Sequence, residues 1–226
     1  MILLAVETST QVCSAALLKD GAVLDERISY SGGNHAELLP EYVDSLLRLC
    51  GEIDAVALSA GPGSYTGLRI GTSLCKGLAY GRNIPMVAVP TLDILTEALL
   101  ENTKDIEGCL LCPMLDARRM EVYTALYESD GRKIGDVEAK VIDGDSFTDI
   151  EPERKMVFFG NGAMKCEGVI SRKNSLFVPD IVPLARAMWR LATERLQRGE
   201  TVDIAYFEPF YLKEFVAAPS HVKGLR

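Results

Sequence analysis

The chain has 226 residues, with 24 Lys+Arg against 32 Asp+Glu, a formal charge of −8 and 48% hydrophobic residues, which describes a globular protein of one large domain or two small lobes. No motif recurs at a fixed period, which argues against a solenoid, and the negative balance argues against a protein that grips nucleic acid with its whole surface, leaving only a local basic patch. No apolar run approaches the roughly 18 residues of a membrane span, and residues 1–7 lack the basic start of a signal peptide, so a cytoplasmic protein without membrane contact is expected.

Taken in chain order, residues 2–8 form a nearly continuous apolar run, as in a strand buried on both faces. Residues 12–18 follow, and Lys19-Asp20-Gly21-Ala22 carries the Asp-Gly turn signal into residues 23–30, giving three antiparallel strands. A loop with Asn34 as a cap leads into a helix over residues 35–50, where Leu39, Tyr42, Val43, Leu46 and Leu47 keep the i, i+3, i+4, i+7, i+8 spacing. Leu38 and Leu49 fall partly outside that stripe, so a second apolar surface needs a partner. A strand is expected at 53–59, a helix at 66–81, a short strand at 86–89 and a helix at 91–100 with Thr91 as N-cap. The order βββαβαβα places helices against a mixed sheet, an α/β pattern.

The polar stretch 101–107 marks a boundary between a lobe of residues 1–103 and a smaller one of residues 104–226. Beyond it, strands are expected at 110–115, 122–127, 137–142 and 156–159. An amphipathic helix over 181–196 would be built on Val182, Ala185, Met188, Trp189, Ala192 and Leu196, and a strand at 206–211 would precede a tail. Six cysteines are too few for a disulfide scaffold. Only Cys109 and Cys112 have metal or redox spacing, and in a strand residues three apart point to opposite faces, so both read as core.

The most informative stretch is Ser59-Ala60-Gly61-Pro62-Gly63-Ser64-Tyr65-Thr66-Gly67-Leu68-Arg69-Ile70-Gly71. A glycine-rich turn between a strand and a helix exposes N–H groups at a positive helix end, where phosphates bind. The spacing nevertheless fails the P-loop pattern, fails G-x-G-x-x-G because position 66 is Thr, and fails the serine elbow because Pro62 and Thr66 stand where glycines are needed. A structural turn and an anion-binding loop using Glu7, Thr8, Ser9, Gly61, Gly63, Ser64, Thr66 and Gly67 both stay open. Gly71 and Gly77 lie inside the helix, each costing about 0.8–1 kcal/mol relative to Ala. Gly67 with Gly71, and Gly77 with Gly81, form small-residue strips that admit another backbone, either a strand of the same sheet or a partner helix.

Catalytic groups are scarce. Of two histidines, His35 starts a helix and His221 lies in the tail, and no H-E-x-x-H helix exists, so no metal site is expected. Glu7 and Asp116, each ending a strand, are the carboxylates best placed for ion or phosphate chemistry, and both equally suit a structural role.

Glu7-Thr8-Ser9-Thr10 before a hairpin resembles the first phosphate motif of the actin and sugar-kinase (ASKHA, RNase H-like) superfamily. The loop 61–71, the segment Asp116-Ala117-Arg118-Arg119-Met120-Glu121-Val122-Tyr123 and Glu208-Pro209-Phe210-Tyr211-Leu212-Lys213 together resemble the TsaB (YeaZ) family nearly end to end. The resemblance implies a two-lobed actin-like fold with a reduced second lobe. It also implies a non-catalytic, cofactor-free partner of the TsaD paralogue and the TsaE ATPase in the threonylcarbamoyladenosine (t6A) modification of tRNA. On that basis the helices 35–50 and 66–81 form the surface for a homodimer or for TsaD, with His35, Leu38, Leu39, Tyr42, Leu46, Gly67, Gly71, Leu74 and Leu78 as interface residues. tRNA would be reached indirectly, with Arg118, Arg119, Lys213, Lys223 and Arg226 as the basic candidates for any contact. Gly160-Asn161-Gly162 is a short match to an adenosine motif, so tight ATP binding is not expected. The alternatives are a reduced actin-like ATPase or kinase using Glu7 and the 61–67 loop, and an M22-type peptidase.

Overall fold

The computed structural model of the chain describes residues 1–213. Strands β1 (Ile2–Glu7), β2 (Cys13–Lys19) and β3 (Ala22–Ser29) form an antiparallel meander, and β4 (Ala55–Ser59) and β5 (Met86–Val89) run parallel to β1, in the order β3-β2-β1-β4-β5. The parallel pairs are joined by crossover helices: α1 (His35–Cys50) leads into β4, and α2 (Tyr65–Arg82) leads into β5. Both cover one face of the sheet, where Leu4, Val6, Ala15, Leu17, Val56, Leu58 and Met86 meet Leu39, Val43, Leu46, Cys75 and Ala79. The alternate residues Leu3, Ala5, Ala16, Leu18, Ala55, Ala57, Val87 and Val89 point to the other face.

A second sheet repeats this plan. Strand β6 (Leu110–Asp116) pairs antiparallel with β7 (Glu121–Thr124), which pairs with β9 (Glu138–Val141). On the other side of β6 lie β10 (Met156–Phe159) and β11 (Ser175–Val178), both parallel, while the short β8 (Tyr127–Glu128) also pairs β6. The order β9-β7-β6-β10-β11 is that of the first sheet, position by position. Where the first lobe uses α1 and α2, the second uses irregular chain at 142–155 and a single 3-10 turn, Met164–Cys166, so it is the reduced half of an actin-like α/β pair. Arg172 organises the irregular part, donating to the carbonyls of Phe147, Ile150, Glu151 and Arg154.

Helix α3 (Thr91–Asn102) joins the lobes by using two apolar sides: Ile94 and Ala98 face the first sheet, and Leu92, Leu95 and Leu99 face the second. The chain then crosses back, because the 3-10 turn Ala185–Met188 and α4 (Trp189–Gln197) pack on the first sheet. The last segment therefore follows the second sheet in sequence and packs on the first. The helix expected over 181–196 is shorter: residues 181–184, with Pro183 among them, have no regular structure, and Leu184 is extended. No strand forms at 206–211, where a turn and Pro209 leave only single backbone contacts. Thr91 is the first helical residue rather than the cap, which is Pro90, and Asn34 makes no side-chain cap bond. Cys109 and Cys112 lie in opposite cores, and burial pushes the Cys112 thiol to about 12.

Candidate functional site

The carboxyl ends of β1 and β4 carry the residues singled out by sequence. The register sets Ser14 and Ser59 beside Glu7, a polar row ending the apolar face of Ala5, Ala16 and Ala57. Glu7 is fully buried; its Oε1 accepts the Ser9 N–H at 2.6 Å, and its Oε2 has no partner. Burial raises its pKa from the ordinary 4.5 to about 7, against the lowering effect of hydrogen bonds from Ser9, Ser59 and Thr8. Ser59 Oγ accepts the Thr8 N–H at 3.3 Å, and Ser14 Oγ accepts the Ala185 N–H at 3.0 Å, tying the returning chain to this row.

The glycine loop folds onto the β1–β2 turn rather than around a cavity. A Cβ at Gly63 would lie 2.3 Å from the Ser9 carbonyl oxygen, and the Ser64 N–H donates to that same oxygen at 2.6 Å. Ser64 caps α2, its Oγ accepting the Gly67 N–H at 3.2 Å. A Cβ at Gly67 or Gly71 would lie 2.1 Å from Thr8 O or 2.4 Å from Thr8 Oγ1. The first glycine strip thus admits a strand of the chain's own sheet, and the loop donors of Ser64 and Gly67 are already engaged. Thr8 and Ser9 are buried beneath it, and Thr66 stays exposed on α2.

Residues 207–213 lie across this loop. The Phe210 N–H donates to Ala60 O at 2.7 Å, the Phe210 carbonyl oxygen sits 2.5 Å from where a Gly61 Cβ would be, and the Tyr211 ring packs on Tyr65 at 4.9 Å. Lys213 then pairs with Glu121 of β7, so the segment spans the two lobes. In the second lobe Gly160 and Gly162 stand where Gly61 and Gly63 stand in the first, packed on the Met114 and Leu115 backbone. Asp116, the counterpart of Glu7, is exposed and paired with Lys165. Among the described residues no group of three or more His, Cys, Asp or Glu could hold a metal ion.

The interface residues expected from sequence separate into two sets. Leu39 and Leu46 are fully buried in the core, Gly67 and Gly71 are packed against Thr8, and the buried His35 donates from Nε2 to Thr10 O at 3.0 Å. None of these five presents a free surface. Tyr42, Leu74 and Leu78 are half-buried and pack against the first-sheet core from α1 and α2, and Leu38 is half-buried on α1. Leu49 of α1 and Gly77, Tyr80 and Gly81 of α2 are exposed, and a Cβ at either glycine would meet nothing within 4 Å. Tyr80, three residues after Gly77, lies on the same side of α2 as that glycine. His221, Lys223 and Arg226 lie outside the described residues.

Two repeats of one five-strand order joined by a helix shared between them, with a glycine loop at the carboxyl ends of the first-lobe strands, define a reduced actin-like protein. A family model described as TsaD, tRNA N6-adenosine threonylcarbamoyltransferase, matches residues 29–151, over half of the chain. The tRNA threonylcarbamoyladenosine biosynthesis protein TsaB of Escherichia coli is 30% identical over 96% of both chains. That of Bacillus subtilis is 40% identical over 57% of this chain, and the chain spans 56% of that protein's length. The solved structure of YeaZ from Pseudomonas aeruginosa superposes with a TM-score of 0.80 at 27% identity, covering 93% of this chain and 99% of that one. A second structure, described as having similarity to peptidase YeaZ, gives 0.81 at 28% identity, covering 94% and 99%. The ethanolamine utilization protein EutJ of Carboxydothermus hydrogenoformans shares the fold alone, at 12% identity and a TM-score of 0.52 over 83% of this chain and 90% of that one. The chain belongs to the TsaB (YeaZ) family.

Proposed function

We infer that this chain acts in tRNA threonylcarbamoyladenosine synthesis as a non-catalytic subunit. It docks a TsaD-type paralogue through the outer side of α1 and α2 and works with a TsaE-type ATPase. The observation that carries this reading is the contrast between the two glycine strips. Gly67 and Gly71 are explained inside the chain, whereas Gly77 and Gly81 cost helix stability and meet nothing, on a helix that also exposes Tyr80, three residues after Gly77. Small exposed residues next to an exposed aromatic let a partner helix approach closely.

A nucleotide-hydrolysing reading has the loop geometry against it, since Gly63, Ser64 and Gly67 are packed on Thr8 and Ser9. Docking would activate the partner by favouring one of its conformations, which requires a difference in affinity between the states. The same face would pair two copies of this chain when the partner is absent, and tRNA would be modified by the partner. The test is size-exclusion and calorimetry of the chain with a TsaD-type subunit: Gly77→Glu with Tyr80→Asp should abolish association, and unchanged association would overturn the reading.

A further inference from the structure

The hairpin between β6 and β7 carries an unusual pair. Arg118 and Arg119 adopt φ of 72° and 51°, a left-handed conformation that Asn, Asp and Gly take far more readily than a long side chain. The turn is braced: Ala117 N–H donates to Glu121 O at 3.1 Å, Glu121 N–H to Arg118 O at 3.1 Å, and Arg118 N–H to Asp116 Oδ1 at 3.0 Å. From beneath, Lys165 Nζ donates to Arg119 O at 2.7 Å, to Glu121 O at 2.8 Å and to the Asp116 carboxylate.

The electrostatics point the same way. The two acids flanking the tip are each neutralised by a lysine, Asp116 by Lys165 and Glu121 by Lys213. Both arginines are exposed, and among the described residues theirs are the only arginine side chains without a hydrogen bond or ion pair. A chain of net charge −8 thus holds, on one strained tip, two guanidinium groups that no acid among the described residues compensates. Strain retained where a cheaper turn would serve marks a position chosen for its side chains. Two forked donors of fixed charge suit phosphate oxygens.

We propose that the Arg118–Arg119 hairpin is a contact for the phosphodiester backbone of RNA, so that this subunit touches the tRNA directly. The choice of RNA over another polyanion rests on the functional reading above. The contact carries no base recognition, because guanidinium pairs on phosphates position a nucleic acid without reading it.

The test titrates labelled tRNA with the complex of the full chain and its TsaD-type partner, and with the full chain alone, from 50 to 200 mM salt. Arg118→Gly with Arg119→Gly removes the charges and the left-handed strain together, so the variant should melt no lower than the wild type. Its binding should weaken for every tRNA sequence, and the slope of log K against log salt should fall by about 1.5, for two lost phosphate contacts. The double lysine variant should recover most of that slope. Unchanged tRNA affinity and slope would overturn the proposal. So would a loss traced to weaker protein–protein association, which would make the hairpin a contact for an acidic protein surface. Failure of the wild-type chain to bind the partner would overturn the functional reading instead, while the titration of the chain alone would still decide the role of the hairpin.

Discussion

Gly67 of α2 lies so close to Thr8, just past β1, that a Cβ on it would be 2.1 Å from the Thr8 carbonyl oxygen. That atom belongs to the backbone and cannot turn aside. Gly67→Ala should therefore destabilise the chain by about 1–3 kcal/mol, as overpacking does. Gly71→Ala should cost less, because its obstacle is the Thr8 hydroxyl. Gly77→Ala, on open helix surface, should stabilise the isolated chain by up to about 1 kcal/mol. Urea unfolding of the three variants checks the order.

Glu7 predicts a pH dependence. Its folded pKa of about 7 lies above the ordinary 4.5, so the unfolded state loses this proton first as pH rises. Below about pH 4.5 both states hold the proton and the group contributes no difference. Between there and about pH 7 it removes stability, and above pH 7 the penalty is complete, about 3 kcal/mol at 1.36 kcal/mol per pH unit between the two values. Glu7→Gln should lack that decline. Parallel denaturation curves of the two proteins from pH 4 to 8 would contradict the account.

Arg172 is the pivot of the second lobe, with one buried guanidinium serving four carbonyls that no helix satisfies. Arg172→Met should cost at least about 3 kcal/mol, since it leaves buried acceptors unpaired. Hydrogen exchange should speed up in residues 143–154 before the first lobe is affected.

The exposed pair on α2 separates folding from association. Gly77→Glu and Tyr80→Asp should each leave the melting temperature of the isolated chain within a few degrees, because a Cβ at Gly77 meets nothing and Tyr80 is exposed. Each should weaken association with a TsaD-type partner by about tenfold or more, measured by calorimetry.

The first lobe was the more legible half. Its helix α1 keeps the bounds 35–50 expected from apolar spacing, and the Asp-Gly turn places β2 and β3. Strand β11 was not seen, because its apolar run, Leu176-Phe177-Val178, is shorter than the roughly four to eight residues that mark a strand in a sequence. The repeated strand order was invisible as well, because apart from Gly61-Pro62-Gly63 and Gly160-Asn161-Gly162 it is a repeat of topology rather than of residues. At the site, the glycines announced a close approach, but spacing alone could not say whether a strand or a partner approached. Only the position of Thr8 assigns Gly67 and Gly71 to the interior. Leu39 and Leu46, placed on the partner surface through the family resemblance, belong to the core, because the periodic stripe that predicts a helix is the side that packs on the sheet.

The central claim is that a TsaD-type subunit needs this chain as a docked, non-catalytic partner. The direct measurement is t6A formation on tRNA with purified TsaD-type and TsaE-type subunits, with the wild-type chain, without it, and with the Gly77→Glu, Tyr80→Asp variant. The account predicts product only with the wild-type chain. Full rate without the chain, or full rate with the interface variant, would contradict it.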